Sequence, residues 1–171
     1  VLVAVPSSRI LRDILVETNI LPALAEREYN VLHVTSKFGA YVNKTKVNRE
    51  KFFDTLTAWG KNPLKKFIVF HYSILSEGIN VSGLTHAILL RNLNVVEMAQ
   101  TVGRVIRLHP KDARDIASGA IPKGELQLYR KPTGYVTIPI HKNHGKRTLT
   151  RLQRVVDEIF IQGIPATAYV G

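Results

Sequence analysis

Cysteine is absent from this chain of 171 residues, so disulfides and thiolate metal sites are excluded and the redox compartment stays open. Acidic residues are scarce: 13 Asp and Glu stand against 24 Lys and Arg, a net charge of +11. No apolar run reaches the ~18 residues that a membrane-spanning helix needs. There is no G-x-x-x-x-G-K-[ST] loop to cradle phosphates and Mg²⁺, and no glycine fingerprint for a dinucleotide, since Gly78 and Gly83 stand too far apart. Neither a Ser-His-Asp order nor paired carboxylates point to covalent or glycosidic hydrolysis. No methionine and no basic-then-apolar leader opens the chain, which reads as a portion of something longer.

What is present is globular in texture, 45% hydrophobic and 22% charged, at a length suited to one domain. The positive excess on so small a chain attracts polyanions, nucleic acid foremost. The plainer alternative is a domain that is merely basic.

Short unbroken apolar runs at Val1–Val5, Val31–Val34, Phe67–Phe70 and within Thr85–Leu90 predict strands buried on both faces. Between them, Ile10, Ile14, Leu15, Leu21 and Leu24 recur at helical spacing after a possible cap at Ser7 or Ser8, with Pro22 expected to kink or split the helix. Phe52, Phe53, Leu56 and Trp59 mark a second helix closed by Gly60, and residues 36–48 read as a loop. Asn94 followed by Glu97 predicts a capping box, opening a helix that Pro110 stops near Leu108. This alternation predicts an α/β fold, a parallel sheet with helices on both faces. Beyond Pro110, two β-like runs around Lys131-Pro132-Thr133-Gly134 predict a hairpin, and a final helix runs from about Arg147 to Gln162. The expected division is a core over 1–110 and a C-terminal hairpin and helix over 111–171, packed on the same domain.

The segment Gln100-Thr101-Val102-Gly103-Arg104-Val105-Ile106-Arg107 carries the most chemistry. On a helix, Gln100, Gly103, Arg104 and Arg107 share one face. Two guanidinium groups projecting together call for an anion, and phosphate suits their forked donors. The glycine costs the helix ~1 kcal/mol relative to alanine, which close approach of another backbone would explain. A solvated or salt-bridged face is the competing reading. The acidic run Val155–Phe160 mimics a metal-binding strand motif, but Leu149, Leu152, Val156 and Ile159 follow helical periodicity. His141 and His144 are three apart with no Cys or carboxylate near, which reads as surface; His71 at a strand end and His109 beside Arg107 could approach a site but read as structural or solvent-facing. No metal site is expected. Lys142, Lys146, Arg147, Arg151 and Arg154 either hold a phosphate backbone or form a solvated face.

Residues Gln100 to Arg107 match the Q-x-x-G-R-x-x-R motif VI of superfamily 2 helicases and translocases. Ser76-Glu77-Gly78-Ile79-Asn80-Val81 resembles their motif V, and Val1 to Ser8 is similar to motif IV, which opens the second (C-terminal) RecA-like domain. The resemblance covers Val1 to about Pro110, and within the family it looks most like phage branch-migration DNA helicases of the UvsW type. It implies an ATP-dependent helicase, a cytoplasmic ATP hydrolase working on DNA (RNA is the other possibility), in the host cytoplasm if phage-encoded, with no membrane role. Arg104 and Arg107 would be arginine fingers and Gln100 would position the nucleotide or its attacking water. Glu77, Gly78, Asn80 and Gly103 would lie at the nucleotide; Asn80 stands where many relatives carry Asp. Ser7, Ser8, Arg9, Ser76, Lys146 and Arg147 would meet the nucleic acid. ATP and Mg²⁺ would be bound mainly by an N-terminal RecA-like domain outside this chain, so the chain alone is expected to be inactive. Two rivals stand beside this: a remodelling or restriction-type motor that translocates on duplex, and a non-enzymatic basic nucleic-acid-binding module.

Overall fold

The computed structural model describes residues 1–72, 81–139 and 145–159, apart from the side chains of 145–149 and 158–159. Seven strands, β1 (Leu2–Ala4), β2 (Asn30–Thr35), β3 (Gly39–Val42), β4 (Thr45–Val47), β5 (Phe67–His71), β6 (His86–Leu89) and β7 (Tyr135–Thr137), form one sheet in the order β4-β3-β2-β5-β1-β6-β7. From β2 to β7 every neighbouring pair is parallel, while β3 and β4 are antiparallel additions at one edge. Among the described residues six α-helices accompany them: α1 (Ser8–Val16), α2 (Ile20–Glu26), α3 (Arg49–Lys61), α4 (Val95–Ile106), α5 (Pro110–Ala117) and α6 (Gly145–Ile159).

The valine-rich runs form the centre of the sheet because both of their faces are covered. Side-chain alternation sends Val3, Val5, Ile68 and Phe70 toward Leu11, Ile14 and Leu21 of α1 and α2. Leu2, Ala4, Val69 and Leu89 face the other way, into a larger core with Phe52 and Leu56 of α3, Met98, Val102 and Val105 of α4, and Val155 of α6. Helices therefore cover both faces, as the alternation of elements predicts.

Several local expectations are corrected. The stretch 36–48 is a hairpin: Asn43 and Lys44 both take positive φ, 45° and 71°, and turn β3 into β4. Proline does not split the first helical region. Thr18 breaks it, its hydroxyl donating to the Ile14 carbonyl at 2.5 Å and accepting from the Ile20 amide at 3.2 Å. Pro22 sits in the first turn of α2, where a missing N–H is harmless. Gly60 lies inside α3, buried against the Ser82 backbone.

The expected hairpin around residues 131–134 does not form. Leu126–Leu128 is a 3₁₀ turn with both leucines exposed, and β7 joins the main sheet parallel to β6. Alternating apolar residues fit a surface turn as well as a strand. The helix before Pro110 stops at Ile106, two residues short of the expected end, and Pro110 opens α5 at its first position, with the His109 ring accepting from the Lys111 amide at 3.2 Å. The acidic run near residue 157 lies on α6, as its periodicity requires.

Candidate functional site

Parallel register brings four strand ends to one edge. Ala4 pairs with His71 on one side and Leu89 on the other, and Val34 pairs with His71, so β2, β5, β1 and β6 all finish together. The chain turns there from β1 into α1 and from β6 toward α4. In open parallel sheets, ligands bind outside these carboxyl ends.

At the first of these turns Ser7 caps α1, its Oγ accepting from the Ile10 amide at 3.1 Å. The hydroxyl hydrogen stays available to donate. Ser8 opens the helix half-buried and Arg9 is exposed, so three of the six expected nucleic-acid residues lie at one helix N-terminus.

At the second turn the capping box is complete: Asn94 Oδ1 accepts from the Glu97 amide at 2.8 Å, and Glu97 Oε2 accepts from the Asn94 amide at 3.2 Å. The other Glu97 oxygen takes the Arg91 guanidinium at 2.9 Å, and Arg91 in turn lies 4.8 Å above the Tyr72 ring. One carboxylate thus fixes both the start of α4 and an arginine at the strand ends.

The arginine face differs from a plain helical projection. Gln100 is exposed, Gly103 half-buried and Arg104 buried, 8% exposed. Arg107 is exposed but no longer helical; it is the C-cap of α4, with φ −55° and ψ 137°. The two guanidinium groups therefore occupy different surroundings, one inside and one at the surface. Burial, then the charge of Arg107, lowers the Arg104 pKa. Among the described residues nothing lies within 4 Å of a Cβ built on Gly103, so close backbone packing does not account for that glycine.

His71 stands beneath this face. It follows Phe67 and Val69 in the alternation of β5, on the α4 side of the sheet, and is fully buried. Neither ring nitrogen has a hydrogen-bond partner among the described residues. Burial, and then the charges of Arg91 and Arg104, press its pKa down to about 3, so the ring is neutral at physiological pH.

Three residues that bear on the site, Asp112, Lys131 and Gly134, carry no sequence signal for that role, the last two reading only as part of a turn. Asp112, at the start of α5, is fully buried and accepts from Arg130 Nη1 at 3.1 Å and from the Lys131 amide at 3.1 Å. Lys131 Nζ donates to the Arg107 carbonyl at 2.6 Å, and burial brings its pKa down to about 8. A Cβ on Gly134 would meet the Val105 carbonyl oxygen at 2.7 Å. The end of α4 is held from behind by residues well over a dozen positions further on, too distant in sequence for local pattern to reveal.

Ser76, Glu77, Gly78 and Asn80 lie outside the described residues, as do His141 and His144. Lys146 and Arg147 fall on the backbone of α6, with side chains outside the description. Arg154 is exposed, whereas Arg151 donates to Asn92 Oδ1 at 2.6 Å and to the Leu93 carbonyl at 3.3 Å, tying α6 to the loop before α4. Among the described residues no group of three or more His, Asp or Glu could hold a metal, and no helix is long and apolar enough to cross a membrane. A groove of about 470 Å³ between α1–α2 and β2, lined by Leu21, Tyr29 and His33 among others, contains none of the expected site residues.

No family model and no curated protein matches this chain. Among solved structures, its fold is similar to part of LlaBIII, an ATP-dependent Type ISP restriction-modification enzyme bound to DNA, with a TM-score of 0.51 over 91% of this chain at 16% identity. This chain spans only 10% of that enzyme. The likeness is one of fold: a mostly parallel α/β sheet, consistent with a RecA-like domain, that occurs in an ATP-dependent, DNA-bound protein.

Proposed function

We propose that this chain is the second RecA-like domain of an ATP-dependent nucleic-acid motor, acting on DNA ahead of RNA, with residues 1–110 carrying the working motifs and 111–171 buttressing them. One observation carries the reading: the carboxyl edge of the sheet holds the Ser7–Arg9 helix terminus and the Arg91–Glu97 pair, and the charges of Arg91 and of Arg104 on α4 both bear on His71 at the end of β5. The fold shared with an ATP-dependent, DNA-bound enzyme supports it.

Arg107, exposed at the helix end, is the group placed to reach across a cleft to the phosphates of ATP held by another RecA-like domain of the same protein. Buried Arg104, which feels the charge of Arg107 and whose own charge bears on His71, reports the nucleotide inward to the sheet. Gln100 faces solvent one turn earlier, and open space at Gly103 leaves room for nucleotide to approach. Residues of the 76–80 segment complete the nucleotide side. A guanidinium at the transferring phosphoryl group is worth ~10³–10⁵ in rate. The Mg²⁺ that neutralises phosphate charge arrives with ATP from the other domain. Ser7, Ser8, Arg9, Ser76, Lys146 and Arg147 grip the nucleic-acid backbone through hydroxyls, amides and charge, without reading sequence. The machinery is cytoplasmic, and half of an ATP site hydrolyses nothing alone.

The fold shared with a restriction-modification enzyme favours a second reading, a motor that translocates on duplex without separating strands. DNA-stimulated ATP hydrolysis by the full-length protein, with Arg107→Ala and Arg104→Ala, tests the first. A fall of orders of magnitude with DNA binding kept is expected; unchanged hydrolysis, or none in the wild type, leaves only a basic binding module. Strand separation compared with triplex displacement divides helicase from duplex translocase.

A further inference from the structure

We infer that Lys131 is a positioning residue for Arg107, the far end of a clamp that holds the arginine in register for phosphate. This rests on the nucleotide role proposed above for Arg107.

The geometry starts where α4 stops. At Arg107 the backbone leaves the helix, and its direction there decides where the guanidinium goes. The carbonyls at a helix end have no partner within the helix and must find one elsewhere. The segment is pinned from two sides. Two residues later His109 caps α5 and Pro110 fixes the first helical φ. From the other side Lys131 Nζ reaches the Arg107 carbonyl at 2.6 Å, neutralising the negative end of the α4 dipole.

Lys131 is itself held with little freedom. Its amide donates to Asp112 Oδ2 at 3.1 Å, and that carboxylate also takes Arg130. Three residues on, the Gly134 backbone lies against the Val105 carbonyl so closely that no side chain fits. Burying a lysine amine costs more than a helix end requires, since water or a surface lysine satisfies a terminal carbonyl without burial. A buried donor aimed at the arginine's own carbonyl, where the backbone leaves the helix, makes sense as a means of orientation.

The test uses the full-length protein and four forms: Lys131→Met, Lys131→Arg, Arg107→Ala and the Lys131→Met/Arg107→Ala double variant. Nucleic-acid-stimulated ATP hydrolysis gives kcat and KM, and hydrogen exchange reads the backbone over 104–109. Misplacing a group by about 1 Å costs up to ~100-fold, so Lys131→Met is expected to lower kcat by about 10–100-fold with KM for ATP little changed. Lys131→Arg keeps a donor and recovers much of that loss. The double variant is no slower than Arg107→Ala, because the lysine acts through the arginine. Exchange over 104–109 quickens in Lys131→Met. Wild-type kcat in Lys131→Met, compounding losses in the double variant, or unchanged exchange each overturn the inference while leaving the Arg107 reading intact. Should Arg107→Ala hydrolyse ATP like the wild type, the reading of Arg107 falls and the positioning role with it; quickened exchange in Lys131→Met would then mark the contact as structural alone.

Discussion

Gly60 and Gly83 meet backbone to backbone. A Cβ on Gly60 would sit 2.4 Å from the Ser82 carbonyl oxygen, and one on Gly83 would sit 2.4 Å from the Gly60 carbonyl oxygen. Ser82 Oγ also donates to that Gly60 carbonyl at 3.3 Å. The end of α3 is thereby locked to the turn that leads into β6. Gly60→Ala forces backbone apart rather than a flexible side-chain tip, so it should destabilise by about 1–3 kcal/mol despite alanine's better helix propensity. Gly83→Ala should cost more, since its φ of 80° adds strain to the same clash. Urea denaturation of the two variants checks both the sign and the order.

Gly103 behaves oppositely. It lies in the interior of α4, and a methyl group added there would meet nothing within 4 Å among the described residues. Gly103→Ala should therefore stabilise the fold by up to about 1 kcal/mol. If the glycine is there to admit nucleotide, the same variant should lose ATP hydrolysis in the full-length protein while its denaturation midpoint rises. A stabilised variant with wild-type hydrolysis would mean that the glycine has no part in the nucleotide site.

The core strands were legible because an unbroken run such as Phe67–Phe70 has few alternatives to burial on both faces, and the Asn94–Glu97 box announces its helix by two residues three apart. The β3–β4 hairpin was not. Its tight turn carries Lys44 at φ 71°, where glycine would have signalled the left-handed turn, and the strands beside it, Gly39–Val42 and Thr45–Val47, are too short to show an apolar period. For the site, sequence located the arginine helix and the Ser7–Arg9 turn but spread Arg104 and Arg107 along one continuous face. Only the structure shows the backbone leaving the helix at Arg107, because Lys131 and Gly134 act from outside any local window.

Two buried bases should make stability depend on pH in separate windows. An unfolded histidine titrates near 6.5 and folded His71 at about 3, so between these values the unfolded chain binds the extra proton. Stability should then fall as pH drops through that window, by at most about 1.4 kcal/mol per pH unit. For Lys131 the values are 10.5 unfolded and about 8 folded, so the unfolded chain again binds more protons between them and stability should rise with pH from about 8 upward. Denaturation midpoints across pH check this. His71→Leu should flatten the acidic limb alone, and Lys131→Met the alkaline limb alone.

Asp112 should be the most sensitive position behind the arginine helix. Burial by itself would raise its pKa, but hydrogen bonds from the backbone of Arg130 and Lys131, and from the Arg130 side chain, outweigh that and hold the carboxylate below 3.8. Its contribution is therefore complete above that value and lost as pH falls through the lowered one. Asp112→Ala strands the buried Lys131 amide without its acceptor and should cost roughly 2–4 kcal/mol. Asp112→Asn keeps one carbonyl oxygen toward Lys131 and should cost less, with the difference largest near neutrality and shrinking in acid. Thermal unfolding of both variants at neutral and acidic pH measures it. Equal losses for the two at neutral pH would show that shape, rather than the charge on Asp112, holds the segment that reaches Arg107.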